Sequence, residues 1–183
     1  MISPALTSSA RTASGRDDWQ TPPHVLELVR SVAPIALDPC TSESNPTGAR
    51  THVWWPNGDG LAFDWASTGG LVYVNPPYSQ IRKWLAKCAA ESTRGAEIIA
   101  LVPARTDTRA WHESVTTADA ICFWRGRLQF IDAATGKPAQ VWSAAKQRFV
   151  DAAAPFPSAL VYWGWSSERF ARVFEGRGMV VTP

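Results

Sequence analysis

Leu71-Val72-Tyr73-Val74-Asn75-Pro76-Pro77-Tyr78 is the stretch on which the reading of this chain turns. Four consecutive apolar residues, two of them β-branched valines, have the length and composition of a strand buried on both faces. Asn75-Pro76-Pro77 then stops the run, because proline cannot donate to a sheet ladder. A polar side chain is thereby placed at the carboxyl end of a buried strand. In open α/β sheets ligands lie beyond that end.

Similar runs occur on either side. Ile35 to Asp38 reads as a buried strand feeding Asp38-Pro39, Glu97 to Val102 as another, Ala118 to Trp124 as another, and Ser158 to Trp163 as the last. Thr51 to Trp55 and Leu61 to Phe63 are weaker strand signals. Between them, apolar residues recur at helical spacing. Val25, Leu26, Val29 and Val32 mark a helix from His24, with Thr21 as N-cap and Pro22-Pro23 in the first turn. Ile81, Trp84, Leu85 and Cys88 mark a second helix to Ser92, and Thr106 or Thr108 caps a short third around Ala110 to Val115. Arg127 to Trp142 suggests a hairpin about Thr135-Gly136. Alternating strands and helices predict one α/β domain. The short interval from Asp38 to Asn75 predicts reduced or missing helices between the early strands. Residues 1–16, rich in Ser, Thr and Ala, are expected to form a flexible arm before a domain at 17–183.

Composition narrows the class. The chain has 183 residues, 45% of them hydrophobic, enough for one core. No apolar stretch approaches a membrane span and the first residues lack an apolar leader, so a cytoplasmic protein is expected. Cys40, Cys88 and Cys122 form neither a CxxC pair nor a disulfide framework, and His24, His52 and His112 lack zinc-type spacing; no metal is expected. The net charge of +2 neither requires nor excludes a nucleic-acid partner. Most of the ten tryptophans are expected to pack in the core, with a minority available to stack on flat ligands.

The chemistry of Asn75-Pro76-Pro77-Tyr78 suits methyl transfer to an amine conjugated with an aromatic ring. Such an amine is a poor nucleophile because its lone pair is delocalised. Two acceptors aimed at its hydrogens, the Asn75 side-chain carbonyl and the Pro76 backbone carbonyl, help the nitrogen become tetrahedral. Two prolines keep those acceptors in place, and Tyr78 offers a ring for an extruded base. A methyl group activated by a sulfonium needs no cysteine nucleophile, metal or strong base.

Residues 18 to about 164 resemble the phage-type DNA N6-adenine methyltransferases, the Dam family of phages and prophages. The resemblance is carried by Asp18-Trp19-Gln20-Thr21-Pro22, Leu37-Asp38-Pro39-Cys40, Asp59-Gly60-Leu61, Asn75-Pro76-Pro77-Tyr78, Leu101 to Thr108, Ala118 to Phe123, Arg125-Gly126-Arg127-Leu128 and Pro155 to Leu160, in that order. It implies a Rossmann-like methyltransferase fold, a mostly parallel sheet with an antiparallel last strand at Ser158 to Trp163. It also implies S-adenosylmethionine as donor and a flipped adenine in double-stranded DNA as target. Trp19, Thr21 and Pro22 would close the donor pocket, Asp38, Pro39 and Cys40 would form its loop, and Asp59 would lie near the donor adenine. Asn75, Pro76, Pro77 and Tyr78 would bridge donor and base. Asp38-Pro39-Cys40-Thr41 replaces the glycine-rich loop of many methyltransferases, which leaves Glu43 and Asp64 as unranked candidates for the ribose hydroxyls.

The other candidates follow from these. Asp38 is read as functional because a buried carboxylate needs a partner. Asp59 could equally mark an ordinary Asp-Gly turn. Pro39-Cys40 matches the nucleophile pair of cytosine-C5 methyltransferases, but a small buried cysteine is the preferred reading. Arg105, Arg109, Arg125, Arg127, Lys137, Lys146 and Arg148 concentrate basic charge, and 125–157 is a candidate DNA-recognition insertion whose binding should weaken with salt. A monomer or weak dimer is expected. The alternatives are the same chemistry on RNA adenine or protein glutamine, or a DNA-binding module that has lost catalysis.

Overall fold

The computed structural model describes residues 19–54 and 56–182; the expected arm at 1–16 lies outside them. In chain order the elements are β1 (Trp19–Gln20), α1 (Pro23–Val32), β2 (Ile35–Asp38), β3 (Thr51–His52), β4 (Leu71–Val74), α2 (Ile81–Thr93), β5 (Glu97–Pro103), α3 (Arg109–Ser114), β6 (Ala120–Trp124), β7 (Ile131–Asp132), β8 (Gln140–Ser143), β9 (Arg148–Asp151), β10 (Ser158–Trp163), α4 (Ser167–Phe174) and β11 (Gly178–Val181). Seven strands form one sheet in the order β11-β6-β10-β5-β4-β2-β3, while β1-β7 and β8-β9 form two small antiparallel sheets.

The expectation of a mostly parallel, Rossmann-like sheet closed by one antiparallel strand does not hold. The large sheet is mixed. β2 pairs in parallel with β3 and β4, and β4 with β5. β10 is antiparallel to both β5 and β6, and β11 is antiparallel to β6. Half the pairings are therefore antiparallel. The cause is the path of the chain. The segment after β6 enters β10 at the edge where β5 and β6 end, and a strand that returns without crossing the sheet must run antiparallel. Ser158–Trp163 is also not the last strand: α4 carries the chain across to β11, which runs in the same sense as β10.

Side-chain alternation along the central strands builds two cores. Leu71 and Tyr73 of β4, Ile99 and Leu101 of β5, and Leu160 and Tyr162 of β10 face α1 and α4, packing with Val25, Val29, Phe170 and Phe174. Val72, Val74, Ile98, Ala100, Val161 and Trp163 face the other way, toward Trp84, Leu85 and Cys88 of α2 and Trp111 of α3. Trp65 and Trp163 are essentially fully buried, whereas Trp142 and Trp165 are exposed. The tryptophans thus divide between core and surface as the composition suggested.

Local signals fared unevenly. Between β2 and β4 the described residues form only β3 and a 3₁₀ turn at Ala66–Thr68, so the helices there are indeed missing. Thr108 caps α3, its side chain accepting from the Trp111 N–H. Leu61 to Phe63 is a turn rather than a strand. Thr21 does not cap α1. Pro22 takes that position, and the Thr21 hydroxyl instead meets the Tyr73 phenol at 2.7 Å in the interior. The hairpin about Thr135-Gly136 is present, with the Ala139 N–H donating to Phe130 and the Gly136 N–H to Asp132. A second hairpin, β8-β9, follows it.

Candidate active site

β2, β4 and β5 run in one direction, and β6 shares it because β10 opposes both β5 and β6. Asp38, Asn75, Pro103 and the residue after Trp124 therefore lie along one edge of the sheet. The insertion between β6 and β10 leaves and rejoins the sheet at this edge, where the Ala104 N–H donates to the Pro157 carbonyl at 2.8 Å. Topology thus hangs 125–157 over the carboxyl ends of the strands.

Asn75 is held from a distant part of the chain. Its Nδ2 donates to the backbone carbonyl of Trp19 at 2.8 Å. A carbonyl can only accept, so this contact fixes the amide's orientation and turns Oδ1 to the other side. The Tyr78 hydroxyl donates to that Oδ1 at 3.3 Å, a long and therefore weak bond. The Trp19 carbonyl is itself steadied because β1 pairs with β7, Trp19 opposite Asp132 and Gln20 opposite Ile131.

On one side of Asn75 lies a small polar cavity of about 80 Å³, reached by Asp38, Cys40, Thr41, Ser42 and Thr47 as well as Trp19, Gln20 and Thr21. Burial pushes the Asp38 carboxyl up to about 6, against the opposing pull of hydrogen bonds from the Cys40 backbone, Thr47 and Thr41. The Cys40 N–H donates to Asp38 Oδ1 at 3.1 Å, and Gln20 Nε2 to Ser42 Oγ at 3.0 Å. Burial and the adjacent Asp38 carboxylate hold the Cys40 thiol well above its ordinary value, which makes it a poor nucleophile.

Against Tyr78 lies an apolar cavity of about 480 Å³ whose walls include Trp19, Tyr78, Phe130, Trp142 and Phe156. This volume lies in the range of small-molecule sites. The Tyr78 ring is braced edge-on by Phe156 at 5.3 Å and by Phe130 at 6.3 Å between centroids. Trp19 borders both cavities. Asn75 therefore borders a polar chamber containing a carboxyl group, and Tyr78, hydrogen-bonded to it, borders an aromatic chamber able to take a flat ring.

The family model described as DNA N-6-adenine-methyltransferase (Dam) matches residues 8–158. The chain belongs to the Dam family. Its activity class is accordingly methylation of adenine N6 in DNA. No curated protein and no solved structure matches the chain.

Within this Dam-family chain the expected site residues separate. Trp19, Thr21, Asp38, Cys40 and Asn75 come together around the polar cavity, and Tyr78 lines the aromatic one. Pro22, Pro39, Pro76 and Pro77 shape the backbone without lining either cavity. Asp59 is exposed, and its Oδ1 accepts from the Leu61 N–H at 2.9 Å, as in an ordinary Asp-Gly turn. Asp64 pairs with Arg94 at 3.1 Å near the start of β5, at the opposite end of the sheet, and Glu43 is exposed away from the cavity lining. Among the basic residues, Arg109 pairs with Glu113 and Arg125 donates to the Gly176 carbonyl at 2.7 Å. Arg127, Lys146 and Arg148 are exposed on the insertion, and Arg105 is half-buried.

Sequence reasoning missed Gln20, Thr41, Ser42 and Thr47 on the polar side, and Phe130, Trp142 and Phe156 on the aromatic side. The hydroxyl-rich run after Cys40 was a usable signal, since serines and threonines flanking a buried carboxylate offer it hydrogen bonds. The phenylalanines carried none, being indistinguishable from core residues by type. Among the described residues no group of three or more His, Cys, Asp and Glu could hold a metal ion. No helix among them is long and apolar enough to cross a membrane.

Proposed function

We propose that this chain transfers the methyl group of S-adenosylmethionine to N6 of an adenine extruded from double-stranded DNA at a specific site. The observation that carries the reading is the Asn75 amide, anchored by the Trp19 carbonyl at the polar cavity and hydrogen-bonded to Tyr78, which lines the aromatic one.

The polar lining suits the donor's functional groups. The Asp38 carboxyl, held up by burial, is a natural partner for an ammonium, and the hydroxyls of Thr41, Ser42 and Thr47 suit a ribose or an amino-acid carboxylate. At about 80 Å³ the cavity takes only part of a nucleoside, so seating a whole donor requires the 41–47 loop to shift outward. When bound, S-adenosylmethionine supplies a methyl carbon activated by its sulfonium.

The remaining steps belong to the chain's own residues. The extruded base enters the aromatic cavity beside Tyr78. Reaching past the cavity wall to the Asn75-Pro76 turn, which does not line that cavity, its amine displaces the long Tyr78–Asn75 bond, so Oδ1 accepts a hydrogen bond from one N6 hydrogen while the Pro76 carbonyl accepts one from the other. Both acceptors favour the tetrahedral nitrogen that forms as its bond to the methyl carbon replaces the carbon–sulfur bond, with a neutral thioether as leaving group and the surplus N6 proton lost to solvent, and the preset amide needs little reorganisation. Cys40, kept as a thiol, takes no part. Arg105, Arg109, Arg125, Arg127, Lys146 and Arg148 supply phosphate contacts. Arg109 and Arg125 each keep further N–H donors beside their present partners, Glu113 and the Gly176 carbonyl.

The test is to incubate the protein with tritiated S-adenosylmethionine and unmethylated DNA, then digest to nucleosides. Label in N6-methyldeoxyadenosine is the expected result. Label confined to cytosine derivatives would overturn the proposal.

A further inference from the structure

Two residues at the end of β4 reach the segment 19–21. Asn75 Nδ2 donates to the Trp19 carbonyl at 2.8 Å, and the Tyr73 phenol meets the Thr21 hydroxyl at 2.7 Å. Tyr73 and Asn75 are two positions apart, as are Trp19 and Thr21, so the contacts form two successive rungs between the same pieces of chain. Gln20, between them, donates instead to Ser42 Oγ at 3.0 Å. The inner rung is buried, with Thr21 5% and Tyr73 0% exposed. Burial holds the Tyr73 phenol well above its ordinary value, so it keeps its proton. Thr21 stands one residue before Pro22, the N-cap of α1, and its hydroxyl caps nothing.

Stability does not account for this pair. Valine and phenylalanine have nearly the same shapes, and exchanging both partners of a buried hydrogen bond for apolar groups is close to neutral. What two hydroxyls add over an apolar contact is direction and a fixed length. The outer rung needs both, because the Asn75 amide is oriented only while the Trp19 carbonyl stays within hydrogen-bond reach. β1 is two residues long and pairs with β7 rather than with the large sheet, so that pairing does not set its distance from β4.

We propose that Tyr73 is a positioning residue for methyl transfer: its hydroxyl, bonded to Thr21, fixes the distance of segment 19–21 from β4 and so keeps the Trp19 carbonyl on the Asn75 amide. This rests on the reading of Asn75 as an acceptor for the target amine. It adds the residue that acts through Asn75 from within the core.

The test compares wild type with Tyr73→Phe, Thr21→Ser, Thr21→Val and the double variant Tyr73→Phe/Thr21→Val. Each is melted thermally and assayed for single-turnover methylation of adenine in unmethylated DNA at saturating S-adenosylmethionine. Tyr73→Phe should slow transfer by about five- to tenfold, whereas Thr21→Ser, which keeps the hydroxyl, should stay near wild type. The double variant should melt close to wild type and still transfer as slowly as Tyr73→Phe. A rate that recovers along with the melting temperature makes the pair merely structural and overturns the proposal. The second comparison adds Tyr73→Phe to Asn75→Ala. If Tyr73 acts through Asn75, the added substitution costs nothing further. A full additional loss in that background overturns the proposal, since Tyr73 then acts by another route. Wild type that methylates no adenine, or Asn75→Ala that methylates at the parental rate, refutes the parent reading instead, and the positioning role falls with it.

Discussion

Asp38 shows how one residue's environment predicts a measurable property. Its carboxyl is buried and pushed up to about 6, so burial disfavours the ionised form. For an acid raised above its unfolded value, the penalty on the fold is absent below the usual carboxylate range and complete above about 6. A cationic donor group reverses that preference, because it binds the ionised form. Donor affinity should therefore rise with pH between about 5 and 7, and fall by up to about tenfold per pH unit below the pKa. Calorimetric titration with S-adenosylmethionine across that range measures it. Asp38→Asn should bind more weakly at neutral pH and show a flat profile; a wild-type profile that is itself flat would remove Asp38 from the donor site. The candidacy of Asp38 was legible in the sequence as a carboxylate ending a buried strand. The hydroxyl-rich run after Cys40 signalled that partners were at hand, but which of them bond the carboxyl, Thr41 and Thr47, depends on how the following loop folds back.

At the scale of elements, the loop after β2 and the turn at Asp59-Gly60-Leu61 support one another. A Cβ on Gly60 would lie 1.7 Å from the Pro39 carbonyl oxygen, a backbone atom with little room to retreat. Gly60→Ala should therefore destabilise the fold by about 1–3 kcal/mol and, by displacing Pro39 and Cys40, weaken donor binding as well. A thermal melt with parallel donor titration tests both; a wild-type melting temperature would show that this approach is not a constraint. The turn was recognisable from Asp-Gly, but its role as a support for the loop after β2 was not, since residue type says nothing of what lies opposite. Elements with long buried runs, β4, β5 and β10, were readable from hydrophobicity alone. Leu61 to Phe63 imitated such a run without pairing partners, and the two-residue β1 had no periodicity to detect. Yet β1 supplies the carbonyl that orients Asn75, through a backbone atom that no side-chain pattern can advertise.

The whole molecule departs from its sequence reading in strand direction. Buried parallel and antiparallel strands have the same composition, so Ser158–Trp163 could be recognised as a strand but not placed between β5 and β6. Gly178–Val181 begins at a glycine and alternates half-buried with exposed residues, so it offered no buried run to mark it as another. That arrangement brings the insertion back to the edge where Asn75 lies and builds the aromatic cavity from its residues. Under the proposed function, donor binding, DNA binding and methyl transfer would draw on different parts of one edge, which makes them separable. The most direct measurement is Asn75→Ala assayed for all three. The account predicts a kcat lower by about 10²–10³-fold, with donor affinity and salt-dependent duplex binding close to wild type. An Asn75→Ala protein that methylates adenine at the parental rate would contradict it.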